Sequence, residues 1–90
     1  MMNQHFLKII NSQDSEAQFK LANALFEGEE MQKDDVRALQ LYERAAQLGH
    51  ADALNNAADM YLNGEGTADN YNKARALFEE AASCGVAEAY

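Results

Sequence analysis

The sequence predicts an all-α fold, a short right-handed α-solenoid of antiparallel helix pairs, on three observations. Seventeen of the 90 residues are Ala, none is Pro and only five are Gly, a composition that favours helix and lets helix backbones approach closely. Residues 17–54 laid over residues 53–90, an offset of 36, match without a gap and give twelve identities, among them Gly28/Gly64, Ala38/Ala74, Leu41/Leu77, Ala45/Ala81 and Gly49/Gly85. Within each copy the apolar spacing is i, i+3, i+4, i+7, i+8, seen in Ala38, Leu41, Tyr42, Ala45, Ala46 and again in Ala74, Leu77, Phe78, Ala81, Ala82, which is the stripe of an amphipathic helix.

Each element follows from this period. Moved by the same 36 residues, Phe6 falls at the Tyr42 position and Ile9 and Ile10 at those of Ala45 and Ala46, so residues 1–14 read as a capping half-repeat with a helix over 3–12. Residues 15–50 form the first repeat. Its helix A runs over 15–27 on the stripe Ala17, Leu21, Ala22, Leu25 and ends at Gly28, a residue that adopts the left-handed C-terminal conformation without penalty. Its helix B runs over 34–48, with the Asp34 side chain as N-cap and Gly49 closing a tight turn. Residues 51–86 repeat the plan: helix A over 51–63 on Ala53, Ala57, Ala58 and Tyr61, then Gly64, then helix B over 70–83 with Asn70 as N-cap and Gly85 after it. Residues 87–90 read as the opening of a further repeat.

Composition also bounds function. Fifteen acidic against seven basic side chains give a net charge of −8, which repels nucleic-acid phosphates and anionic membrane surfaces and leaves a basic partner easier to accommodate. The single cysteine, Cys84, forms no intrachain disulfide and suits a reducing compartment. The apolar stretch Phe6–Ile10, interrupted by Lys8, is too short for a signal-peptide core or a membrane span. The expected location is cytoplasmic.

The A stripe followed by Gly64-Glu65-Gly66, Asn70, Lys73-Ala74, Phe78, Ala81-Ala82 and Gly85 resembles the Sel1-like repeat, a relative of the tetratricopeptide repeat; the period of 36 fits the Sel1-like class better than the 34-residue tetratricopeptide. The resemblance covers nearly everything from Ser15 to Val86. Two positions depart from the pattern: Glu30 stands where the second glycine of the Gly-x-Gly loop is expected, and Asn55 where an aromatic is favoured, as Phe19 supplies in the first repeat. Sel1-like proteins act as adaptors holding peptides or proteins on a curved helical surface, so the resemblance implies a noncatalytic interaction module.

The residues offer little chemistry. His5 falls in the capping helix, His50 in the inter-repeat turn, and Cys84, aligned with Leu48, reads as a small apolar residue. No Ser is followed three residues on by Lys, so the acylating Ser motif of β-lactamase-like enzymes is missing. Asn63-Gly64-Glu65-Gly66 with Asp69 lacks the order of an EF-hand, and Glu27, Glu29 and Glu30 read as a solvated acidic edge. No catalytic residue, metal site or cofactor is expected.

In such solenoids the A helices line the concave wall. Residues there that lie off the core stripe are Phe19, Lys20 and Asn23 from the first repeat and Asn55, Asn56, Asp59 and Asn63 from the second. These are the candidate partner-binding residues, because Asn offers a donor and an acceptor to an extended peptide backbone. The bland alternative is that Asn simply tolerates solvent on an exposed helix face. At the C-terminal end Phe78, Ala82, Cys84 and Val86 form the surface a following repeat would cover, so a homodimer through that end is a further expectation. Two other functional classes stay open: an enzyme or its regulatory subunit, and purely structural assembly through the solenoid ends.

Overall fold

The computed structural model describes residues 4–28, 32–68 and 70–83, leaving aside the side chains of Gln4 and His5. Among them the chain forms five helices and no strand: α1 (Gln4–Ile10), α2 (Ser15–Glu27), α3 (Asp35–Gln47), α4 (Ala51–Asn63) and α5 (Tyr71–Ser83). Helices α2 and α4 are the A helices, α3 and α5 the B helices. Each packs most extensively on its partner within the repeat, α3 against α4 joins the repeats, and α1 touches α2 more lightly. The expected ranges stand with small changes, α1 stopping at Ile10 and the cap residues Asp34 and Asn70 lying just outside their helices.

Local chemistry fixes these ends. Four helices begin under a side chain that accepts the third backbone N–H beyond it: Asp14 from Ala17 (3.0 Å), Asp34 from Arg37 (3.1 Å), His50 Nδ1 from Ala53 (3.1 Å) and Asn70 from Lys73 (3.0 Å). That N–H first, and then the Arg37 guanidinium, hold the Asp34 carboxyl below the usual carboxylate range against the opposing effect of burial. Helices α2 and α4 end at Gly28 and Gly64 with φ of 71° and 69°. The chain then returns in the same way in both repeats, the Asp34 N–H bonding the Leu25 carbonyl (2.9 Å) and the Asn70 N–H the Tyr61 carbonyl (2.8 Å). These bonds satisfy carbonyls that a helix end leaves without partners.

Ala at the contact stripes sets the core. Ala22, Ala38, Ala45, Ala53, Ala57 and Ala81 are fully buried, and Leu41, Tyr42 and Met60 fill the space between them. Gln18 is a polar exception on the stripe. Fully buried, it donates from Nε2 to the carbonyls of Ile9 (3.1 Å), Ile10 (3.2 Å) and Ser12 (2.9 Å), and so ties the C-terminal end of α1 to α2.

Gly66, which no cap explains, serves a close approach. It sits at φ 76°, and a Cβ there would stand 2.5 Å from the carbonyl oxygen of Asp35, so the loop after α4 rests directly on the backbone at the start of α3. Glu29, Glu30, Asp69, Cys84, Gly85, Val86 and residues 87–90 lie outside the described residues.

Candidate functional site

The site begins with a tyrosine on the core stripe of α3. Tyr42 is 2% exposed, and a buried phenol must find a partner for its hydroxyl. The ring passes between the A helices. Its O–H donates to Asn23 Oδ1 on α2, and the Asn56 side chain on α4 lies in the same cleft. Burial foremost, with the nearby negative charge of Glu27, pushes the phenol up to about 12, Asn56 acting in the opposite direction. The hydroxyl therefore stays protonated and keeps the Asn23 amide oriented.

Around this floor lies a cleft of about 460 Å³ lined by Asn23, Phe26 and Glu27 from α2, Tyr42 from α3, Asn56, Asp59, Met60 and Asn63 from α4, and Glu65 from the following loop. Four of the seven residues singled out on the concave wall thus meet in one place: Asn23, Asn56, Asp59 and Asn63. Partial burial raises the Asp59 carboxyl above the usual carboxylate range.

The other three stand elsewhere. Phe19 packs at the junction of the repeats, its ring stacked on His50 (centroids 4.3 Å apart, planes at 23°) and tilted against Tyr42 (5.9 Å). Lys20 is exposed and does not line the cleft. Asn55 faces a second cleft, of about 630 Å³, between α4 and α5, where it is joined by Asp59, Leu62, Tyr71, Ala74, Arg75, Phe78 and Glu79. Its Oδ1 is buried without a hydrogen-bond partner.

Set back by 36 residues, that second lining becomes Phe19, Asn23, Phe26, Asp35, Ala38, Leu39, Tyr42 and Glu43, and in the first repeat α4 packs against this face. Among the described residues the second cleft is the same face left open. Phe78 is half-buried on it, Ala82 is exposed on α5, and Cys84 and Val86 lie outside the described residues.

The sequence reading missed Tyr42, Phe26, Met60, Glu27 and Glu65 as parts of the cleft. The one available signal was the hydroxyl of Tyr42, a polar group on an otherwise apolar stripe. His50 holds a structural post: Nδ1 caps α4, Nε2 meets Glu16 Oε1 at 3.1 Å and the ring covers Phe19. Among the described residues no group of three or more His, Cys, Asp or Glu side chains could hold a metal ion, and no helix is long and apolar enough to cross a membrane.

The family model described as Sel1 repeat matches residues 15–50 and 51–86. No curated protein matches the sequence. Among solved structures, the chain is similar to a Sel1 repeat protein from Oxalobacter formigenes (TM-score 0.85, 27% identity), covering 93% of this chain and 63% of that one. It is also similar to a protective antigen of uropathogenic Escherichia coli strains displaying an SLR fold (TM-score 0.84, 30% identity), covering 99% of this chain and 19% of that one. Cysteine-rich protein B of Helicobacter pylori shares the fold at 22% identity (TM-score 0.83), with 98% of this chain and 70% of that one covered. The chain thus spans less than two thirds of the first two structures.

Proposed function

The chain belongs to the Sel1 repeat family, whose repeats are in general noncatalytic modules of protein–protein interaction, and from that premise we propose that it holds a peptide or protein partner in the cleft between α2 and α4. One observation carries the reading. The Tyr42 hydroxyl takes the oxygen of Asn23, which leaves the NH2 group of Asn23 to donate, and the amide of Asn56 lines the same cleft, with an oxygen that can accept. That is the complement of a peptide unit's C=O and N–H, and it places no demand on the side chains of the ligand.

In this reading residues 1–14 are a capping half-repeat, 15–50 and 51–86 two repeats of a right-handed solenoid of antiparallel pairs, and 87–90 the opening of another. The protein works in the cytoplasm, without cofactor, metal, nucleic acid or membrane. A second reading, pairing of two copies through the C-terminal end, is favoured by the cleft at Phe78.

A photo-crosslinking residue placed at Asn63, on the rim of the cleft, tests the first reading against one placed at Gln40, exposed on α3. Adducts from position 63 and none from position 40 are expected. Adducts from position 40 alone, or equally from both, would overturn it.

A further inference from the structure

We propose that the partner segment held in this cleft presents a cationic side chain, Lys or Arg, to its wall; this rests on reading the cleft as the binding face. The lining carries three carboxylates, Glu27, Asp59 and Glu65, and no cation. The backbone adds to them. Asn23, Phe26 and Glu27 come from the C-terminal half of α2, and Asp59, Met60 and Asn63 from the C-terminal half of α4. Helix C-termini carry partial negative charge, where basic side chains are the stabilising choice. Neither α2 nor α4 has a basic residue in its last turn, and α2 instead ends on Glu27. The end of α4 and three carboxylates of the same sign therefore border one cleft, while the end of α2 is met by Lys33, whose Nζ donates to the Phe26 carbonyl.

Three of the protein's own cations are engaged in ion pairs. Lys33 pairs with Asp35 at 2.8 Å, Arg37 with Asp34 at 2.6 Å and Arg75 with Glu79 at 3.3 Å. Lys33 also lies over the ring of Phe26, 4.3 Å from its centroid, so one face of this lining residue already accommodates an ammonium group. Burial raises the Asp59 carboxyl, a shift that an approaching cation would oppose. A Lys or Arg entering the cleft lays its methylene stem against the half-buried Phe26 and sets its head group among the carboxylates, while the amide floor engages the adjoining backbone. An acidic segment meets repulsion at every one of these points.

Panning a random octapeptide display library against the full chain tests the proposal. The enriched peptides are expected to carry more Lys and Arg than the library, and their affinity to fall as salt rises. A representative synthetic peptide is expected to lose about 5- to 30-fold in affinity for the Asp59→Asn/Glu65→Gln variant, as two part-exposed charge contacts imply. It is expected to lose none for Asp52→Asn/Glu80→Gln, which removes the same charge away from the cleft. Thermal melts of both variants establish that they are folded. Equal weakening by the two variants means attraction to the overall charge and overturns the proposal. Enriched peptides that are neutral or acidic overturn it too; if they still weaken with Asn63→Ala, the cleft survives as the binding face. A library that yields no binders, or binders indifferent to every cleft substitution, overturns both readings.

Discussion

Replacing Gln18 with Leu isolates the tie that holds α1. The side chain is fully buried and its Nε2 faces three carbonyls, those of Ile9, Ile10 and Ser12, at 2.9 to 3.2 Å. An amide NH2 has two hydrogens, so at least one of them is shared. The equivalent residue of the second repeat is Leu54, itself 5% exposed, so Leu at position 18 has a precedent in the same chain and keeps the volume filled. What disappears is the pair of donors, together with an Oε1 that is buried without a hydrogen-bond partner. At about 0.5–1.5 kcal/mol net for each hydrogen bond, and with the removal of that oxygen offsetting part of the loss, the variant is expected to lose about 1–2 kcal/mol. For a domain of this size each kcal/mol lowers the melting temperature by about 4–8 °C. Urea unfolding followed by circular dichroism at 222 nm reads the loss as a lower midpoint at unchanged slope, and amide exchange in α1 should quicken with it. A variant with the wild-type midpoint or a higher one, and unaltered exchange in α1, would refute the reasoning, because the three contacts would then add nothing to the fold.

Two further outcomes follow from the same structure. Gly66→Ala is expected to cost about 2–4 kcal/mol, since it meets both a positive φ and the Asp35 carbonyl, whereas Gly49→Ala, at φ 98° with open space around it, should cost only the conformational part, about 1–2 kcal/mol; equal losses in urea unfolding would contradict the close approach. The Tyr42 and Tyr61 phenols, pushed up to about 12, Tyr42 chiefly by burial and Tyr61 chiefly by its 2.6 Å hydrogen bond to Glu43, contribute stability that is intact below about pH 10, the ordinary tyrosine value, and lost as pH rises from there through about 12. Tyrosinate absorbance should show a late step that Tyr42→Phe/Tyr61→Phe removes, and a wild-type titration complete near pH 10 would count against both environments.

The helices were legible because their signals are local. A stripe at helical spacing and a cap at Asp34 or Asn70 involve residues a few positions apart, and two copies of the pattern read each other's boundaries. Gln18, His50 and Gly66 escaped because each answers to something distant in sequence: the end of α1, a ring on α2, the backbone of Asp35. The cleft was half legible for a geometric reason. Asn56, Asp59 and Asn63 are spaced by three and four residues and share a face of α4, but Asn55, one position earlier, is turned about 100° around the helix and faces α5. Phe19 lies four residues before Asn23, yet a large apolar ring next to an imidazole gains more from stacking than from lining a wet groove.

The imidazole at the repeat junction has a mechanical consequence. His50 is anchored in three directions, by an N–H of α4, by Glu16 on α2 and by the ring of Phe19. A flat, rigid group fixed at three points acts as a strut between the two A helices, so the spacing of the jaws that face a ligand is set by a ring of constant size and not by pliable aliphatic packing. At the matching position 36 residues on, the sequence has Val86, whose side chain carries no nitrogen. A joint built there would have to rely on shape alone, and the superhelix would then be stiff at one joint and compliant at the next.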